Sequence, residues 1–213
     1  MLGKMWEARK ERKANEAIVA NNAGTMTPLD VRLASSVTIS DLAYTMFKDL
    51  DTDVYKGDTY TIDYITEYTV FDGVVMHRVV VDNNCFLLVV GDEGGIPDVM
   101  VFHKVYEGHP STSEEWDNWI HPTHGMINSD SMDVDGEPDS YKEFWVASQD
   151  VVATKYTHTG NSQKTYHHKI FARPIELIDG EESEEFLLAE VEDETKVCVY
   201  TGVAIPTIEL KIL

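Results

Sequence analysis

The sequence predicts a β-rich α+β fold: antiparallel meander sheets, arranged as a sandwich or a partly open barrel, with an amino-terminal helix and two short helices. Three observations predict it. From Thr59 onward the hydrophobic period is two, in segments rich in β-branched and aromatic residues. Turn chemistry recurs between those segments, at Asp72-Gly73, Asp82-Asn83-Asn84, Gly160-Asn161, Asp179-Gly180 and Asp193-Glu194. The chain has 213 residues, 43% of them hydrophobic, which is enough for a sizeable core without covalent staples.

Taken in order, Lys4 to about Ala20 holds mostly good helix formers, and Asn21, Asn22 and Gly24 supply a stop. Residues 1–24 therefore read as a helical arm, and 25–213 as one acidic β-rich domain. Ser35 to Ile39 is a short β-branched run, after which Ser40 and Asp41 can cap a short helix through Phe47. Thr59 to Val70 and Val74 to Val81 form a hairpin about Asp72-Gly73. Cys85 to Val90 and Val99 to Tyr106 complete a first meander. Ser111 or Ser113 begins a helix ending at Ile120, with acids in its first turn and Pro122 beyond its end. Its Trp116, Trp119 and Ile120 share a face, expected to plug one end of the sheet rather than to stack on a ligand. Asn128 to Ser140 reads as an acidic loop. Further strands follow at 144–147, 151–157, 165–173, 185–191, 196–203 and 207–213.

Charge narrows the function classes. There are 38 acidic and 17 basic residues, a formal charge of -21, which opposes the phosphate backbone and argues against a nucleic-acid groove. No apolar run approaches 18 residues and no secretory leader pattern stands at the start, so a cytoplasmic location is expected, in a bacterial or phage-infected cell. Cys85 and Cys198 sit in apolar runs and read as buried free thiols.

No constellation names a reaction. Asp49, Asp51 and Asp53 start like a calcium loop, but Val54 replaces the required Gly and Tyr60 the required Glu; Ser131, Asp133, Asp135 and Gly136 do better until Lys142 stands where the Glu belongs. His121 and His124 are three apart, and His167 and His168 are adjacent, so on a strand the latter two point to opposite faces. Nucleophile elbows, zinc-protease motifs and phosphate-cradling glycine loops are missing from the sequence. The expectation is no catalytic residue, no metal ligand, no cofactor, no small-molecule substrate, and no enzyme.

The arm carries the best-motivated function. Residues 1–13 hold five bases and two acids, a charge of +3, which leaves -24 on the remainder. Leu2, Met5 and Trp6 with Arg9, Lys10 and Lys13 form a candidate partner-binding set. It could dock on an acidic protein surface, including a second copy of the chain, or less favourably lie on an anionic membrane.

Phe86-Leu-Leu-Val-Val, Val101-Phe-His-Lys-Val-Tyr and Ser113-Glu-Glu-Trp116-Asp-Asn-Trp119-Ile resemble the YjfK-like family of bacterial proteins of unknown function. Ile170-Phe-Ala-Arg173, Glu185-Phe-Leu-Leu and Val199-Tyr-Thr-Gly202-Val are similar too. The resemblance implies no catalytic residue or cofactor, and in some bacteria a gene neighbourhood shared with a phage-shock-type membrane-stress protein. The expected function is a non-enzymatic structural or adaptor subunit of a larger assembly, such as a phage virion component. Its alternative is a peripheral accessory protein of a membrane-stress system.

Overall fold

The computed structural model describes residues 27, 29–33, 35–47, 59–69, 75–81, 84–91, 97–134, 140–144 and 149–213. The amino-terminal helix expected over 1–24, with Leu2, Met5, Trp6, Arg9, Lys10 and Lys13, lies outside the described residues, as do the Asp72-Gly73 turn and the Asp49 loop. Thirteen strands and one α-helix are described. The first six strands are β1 (Ser36–Ile39), β2 (Thr59–Thr61), β3 (Tyr64–Thr69), β4 (Val75–Val80), β5 (Cys85–Val90) and β6 (Asp98–Gly108). The helix α1 (Ser113–Ile120) follows, then β7 (Ser131–Met132), β8 (Tyr141–Glu143), β9 (Gln149–Thr157) and β10 (Gly160–Glu176). The chain continues through β11 (Glu182–Glu192), β12 (Lys196–Ala204) and β13 (Leu210–Ile212).

The sheet closes on itself, which corrects the expected sandwich or partly open barrel. Eight antiparallel strands run around a barrel in the order β3-β4-β5-β6-β12-β11-β10-β9, and β9 pairs with β3 to complete the ring. The barrel consists of two four-stranded meanders joined at two seams, β6 to β12 and β9 to β3. Closure removes the sheet edges that an open meander would expose. Strands β8 and β7 extend from β10 outside the ring, and β13-β1-β2 forms a small second sheet.

Alternation along the strands sorts the apolar residues into three packed groups. The inward set includes Met76, Phe86, Leu88, Phe102, Ile170, Phe186 and Leu188. The outward set of the first meander, with Ile65, Val79, Leu87, Val89 and Val101, is covered by Val37 and Ile39 of β1 and by Val31 and Leu33. The outward set of the second meander, with Phe171, Leu187, Ala189 and Val199, is covered by Tyr141, Met132, Ile127 and the tryptophans of α1. Barrel strands buried on both faces explain why Cys85 to Val90 reads as a continuous apolar run.

Several expected elements differ. The strand expected over Thr59 to Val70 breaks at Ile62-Asp63, so β2 joins the small sheet while β3 enters the barrel. Ser40 does cap a helical turn by accepting from the Leu42 N–H, but the turn is a single 3-10 turn over Asp41–Ala43, and Phe47 then bridges to Leu177. The two short helices are thus one α-helix and one 3-10 turn. The helix α1 begins at Ser113, one of the two expected starts, and the residue that caps it is Thr112, whose hydroxyl accepts from the Glu115 N–H in a full capping box. The α1 tryptophans lie on the outer wall instead of plugging an end, and Trp119 stacks on Tyr106 at 5.5 Å. Residues 128–140, expected to be loop, include the short strand β7.

Candidate functional site

Inward-facing polar residues gather at one end of the barrel, where β4, β6, β9 and β11 finish and β3, β5, β10 and β12 begin. They surround a cavity of about 350 Å³ lined by Tyr64, Arg78, Phe86, Lys104, Glu107, Glu190, Glu192, Lys196 and Tyr200 among others. This size falls at the lower end of ordinary ligand sites. A β-bulge shapes the rim: β12 pairs Val199 with Tyr106 but Tyr200 with Lys104, skipping Val105. Three residues apart on a regular strand, Lys104 and Glu107 would face opposite ways; the skipped residue lets both line the cavity.

The floor is an ion pair. Arg78 of β4 donates from Nη1 to both Glu190 oxygens of β11, at 2.8 and 2.9 Å. The two strands stand four apart in a ring of eight, so the pair spans the lumen from wall to wall. The guanidinium also lies 3.9 Å over the Phe86 ring and 4.9 Å from the Tyr200 ring centroid. Burial works against its charge, but the Glu190 carboxylate outweighs that and holds the Arg78 pKa well above its ordinary value. Burial pushes the Tyr68, Tyr166 and Tyr200 phenols up, so all three stay protonated. Beside the pair, Arg78 Nε and the hydroxyl of Thr66, its cross-strand partner, are buried without hydrogen-bond partners.

Above the floor the rim carries interleaved charges. Lys104 reaches Glu107 at 2.6 Å, Lys196 reaches Glu192 at 3.2 Å, and Lys164 reaches Glu192 at 3.4 Å and Asp193 at 2.6 Å. Asp193 is held by the tight β11–β12 turn, where Asp193 and Glu194 both have positive φ, 48° and 54°. Lys155 of β9 differs from these. Its ammonium sits 3.4 Å from the Tyr64 ring centroid, and among the described residues no carboxylate lies within ion-pair distance of it. Burial lowers its pKa, Glu192 and Asp63 oppose that, and Lys164 and Lys196 lower it further.

The basic residues are concentrated here. Of the chain's 17, five lie in residues 1–13, leaving twelve. Five of those twelve, Arg78, Lys104, Lys155, Lys164 and Lys196, converge on this end of the barrel. Sequence reasoning missed all of them. The available signal was a charged residue at inward parity, Arg78 between Met76 and Val80 and Glu190 two after Leu188, but pairing them required knowing that β4 and β11 face each other.

The histidines separate as strand geometry requires. His168 is buried inward with its ring 5.6 Å from Tyr68, while His167 pairs with Asp150 at 2.6 Å. The His121 and His124 rings stack at 3.6 Å, each beside the Thr123 hydroxyl. Asp133 accepts from the Ser140 hydroxyl, and Asp135 and Gly136 lie outside the described residues. Among the described residues no group of three or more His, Cys, Asp or Glu is placed to hold a metal. Cys85 and Cys198 are buried and are not joined in a disulfide. No helix among the described residues is long and apolar enough to cross a membrane.

A family model described as a protein of unknown function, DUF2491, matches residues 5–211. No curated protein and no solved structure matches the chain.

Proposed function

We propose, from the premise that the chain belongs to the DUF2491 family of proteins of unknown function, that it is a non-enzymatic binding protein whose barrel mouth is the ligand site. The observation that carries the reading is the open cavity of about 350 Å³ above a packed lumen. An eight-stranded barrel has an interior just wide enough for side chains or one small ligand; here apolar side chains fill one part and polar ones leave the other open. Saturable one-site binding of a neutral fluorescent probe, N-phenyl-1-naphthylamine, tests it. Val80→Trp should place an indole in the cavity and abolish that binding. A wild-type protein that saturates with neither this dye nor its sulfonate counterpart, or a variant that binds equally well, would sink the reading.

A second reading rests on the charge asymmetry, +3 over residues 1–13 against -24 elsewhere. In it the chain is an adaptor or assembly subunit, cytoplasmic or built into a virion, that docks protein partners or a second copy through Leu2, Met5, Trp6, Arg9, Lys10 and Lys13. The resemblance to the YjfK-like family would fit a version of this reading in which the arm meets anionic lipid in a membrane-stress system, though the arm fits an assembly subunit at least as well. Flotation with anionic liposomes, with and without residues 1–20, separates lipid from protein contact. Arm-dependent flotation supports the lipid version, and arm-dependent self-association without flotation supports the assembly version.

A further inference from the structure

We infer that the ligand of the barrel mouth is a small organic anion, its carboxylate or phosphate group received by Lys155 and Lys196 and its apolar body by the Tyr64, Phe86 and Tyr200 rings. This rests on the reading of the mouth as a binding site and names what enters it. On a chain with more than twice as many acids as bases, five of the twelve bases outside residues 1–13 meet at one barrel end. The lining itself is balanced, Arg78, Lys104 and Lys196 against Glu107, Glu190 and Glu192, and Lys164 is paired with Asp193, so the positive charge left for an incoming anion is that of Lys155, seated at the rim on the Tyr64 ring.

The cations there differ in availability. Arg78 is committed to Glu190 and sandwiched by two rings, so it acts as a floor. Lys196 shares Glu192 with Lys164, so three charges form two contacts through one carboxylate and Lys196 can turn to a new partner. Lys155 is half-buried, rests on a ring face, and has no carboxylate partner within ion-pair distance among the described residues. A partly desolvated cation without a counter-ion is costly, and an arriving anion relieves that cost. The rings beside it select an anion with an apolar body over an inorganic one.

The test compares two probes with the same aromatic body: N-phenyl-1-naphthylamine, which is neutral, and 8-anilinonaphthalene-1-sulfonate, which carries an anion. Binding of the sulfonate should be about tenfold tighter, a difference of about 1.4 kcal/mol. It should weaken about tenfold in Lys155→Met and with added salt, and strengthen in Glu107→Gln, while the neutral probe changes little in either variant. Displacement by benzoate and by phenyl phosphate then identifies which acidic group the site prefers. If neither dye binds, the binding-site reading itself fails. If both dyes bind alike, if the sulfonate ignores Lys155→Met, or if neither benzoate nor phenyl phosphate displaces it, the cavity binds ligands but the anion inference is overturned.

Discussion

Arg78 and Glu190 are separated by 112 residues in the chain, yet their side chains meet at 2.8 Å in the centre of the barrel, each about 5% exposed. Each belongs to a different meander, so the pair ties the two halves through the lumen. Removing one partner leaves a buried charge uncompensated, which costs about 3–5 kcal/mol; replacing both by apolar residues is often nearly neutral. Glu190→Leu should therefore lower the urea midpoint sharply, and Arg78→Met with Glu190→Leu should recover most of the loss. A double variant no more stable than the single one would contradict this.

His168 makes stability depend on pH. Burial, with Arg78 and His167 adding to it, lowers its pKa from 6.5 to about 4. Between those values the unfolded chain binds a proton that the folded chain refuses, so this contribution to stability falls as pH drops from 6.5 to about 4 and is constant below that. The loss is on the order of 3 kcal/mol. Urea midpoints measured across this range should fall less steeply for His168→Phe than for the parent, and equal slopes would refute the assignment.

Gly202 is demanded by a close approach. A Cβ there would stand 2.5 Å from the Val101 carbonyl oxygen and 2.7 Å from the Phe102 ring. Gly202→Ala should destabilise by about 1–3 kcal/mol through overpacking, despite the better strand propensity of alanine. Thermal unfolding followed by circular dichroism would show it.

Lys169 holds the outer layer on the second meander. Its ammonium donates to the Ser129 carbonyl at 2.6 Å and pairs with Glu143 at 2.5 Å, with its side chain 2% exposed. Lys169→Met should cost about 1–3 kcal/mol by leaving those acceptors without their donor. Hydrogen exchange should speed up in Ser131–Met132 and Tyr141–Glu143 more than in β4 or β5.

Strand positions were legible because each barrel strand carries its own period or apolar run, as at Cys85–Val90 and Lys196–Ala204. Closure was not, since it depends on Tyr166 to Glu176 pairing with Glu182 to Glu192 while β9 turns back to β3, and periodicity is silent on which edges meet. The break at Ile62-Asp63 was hidden because Thr59 to Val70 keeps its alternation across two sheets. The candidate site was the least legible part. Arg78, Lys155 and Glu190 come from distant strands, and Lys104 and Glu107 share the rim only because Val105 is skipped.

The strand order also governs how the protein emerges from the ribosome. Its first four barrel strands form a sheet whose two flanks, β3 and β6, both wait for partners encoded far downstream. One flank is matched only when β9 appears, and the other only when Lys196–Ala204 has been translated. From the completion of β6 at Gly108 until β9 at Gln149–Thr157 has been made, the nascent chain therefore carries two bare flanks able to recruit neighbouring copies. Yield of active protein should then depend on chaperone supply more than on the stability of the finished barrel.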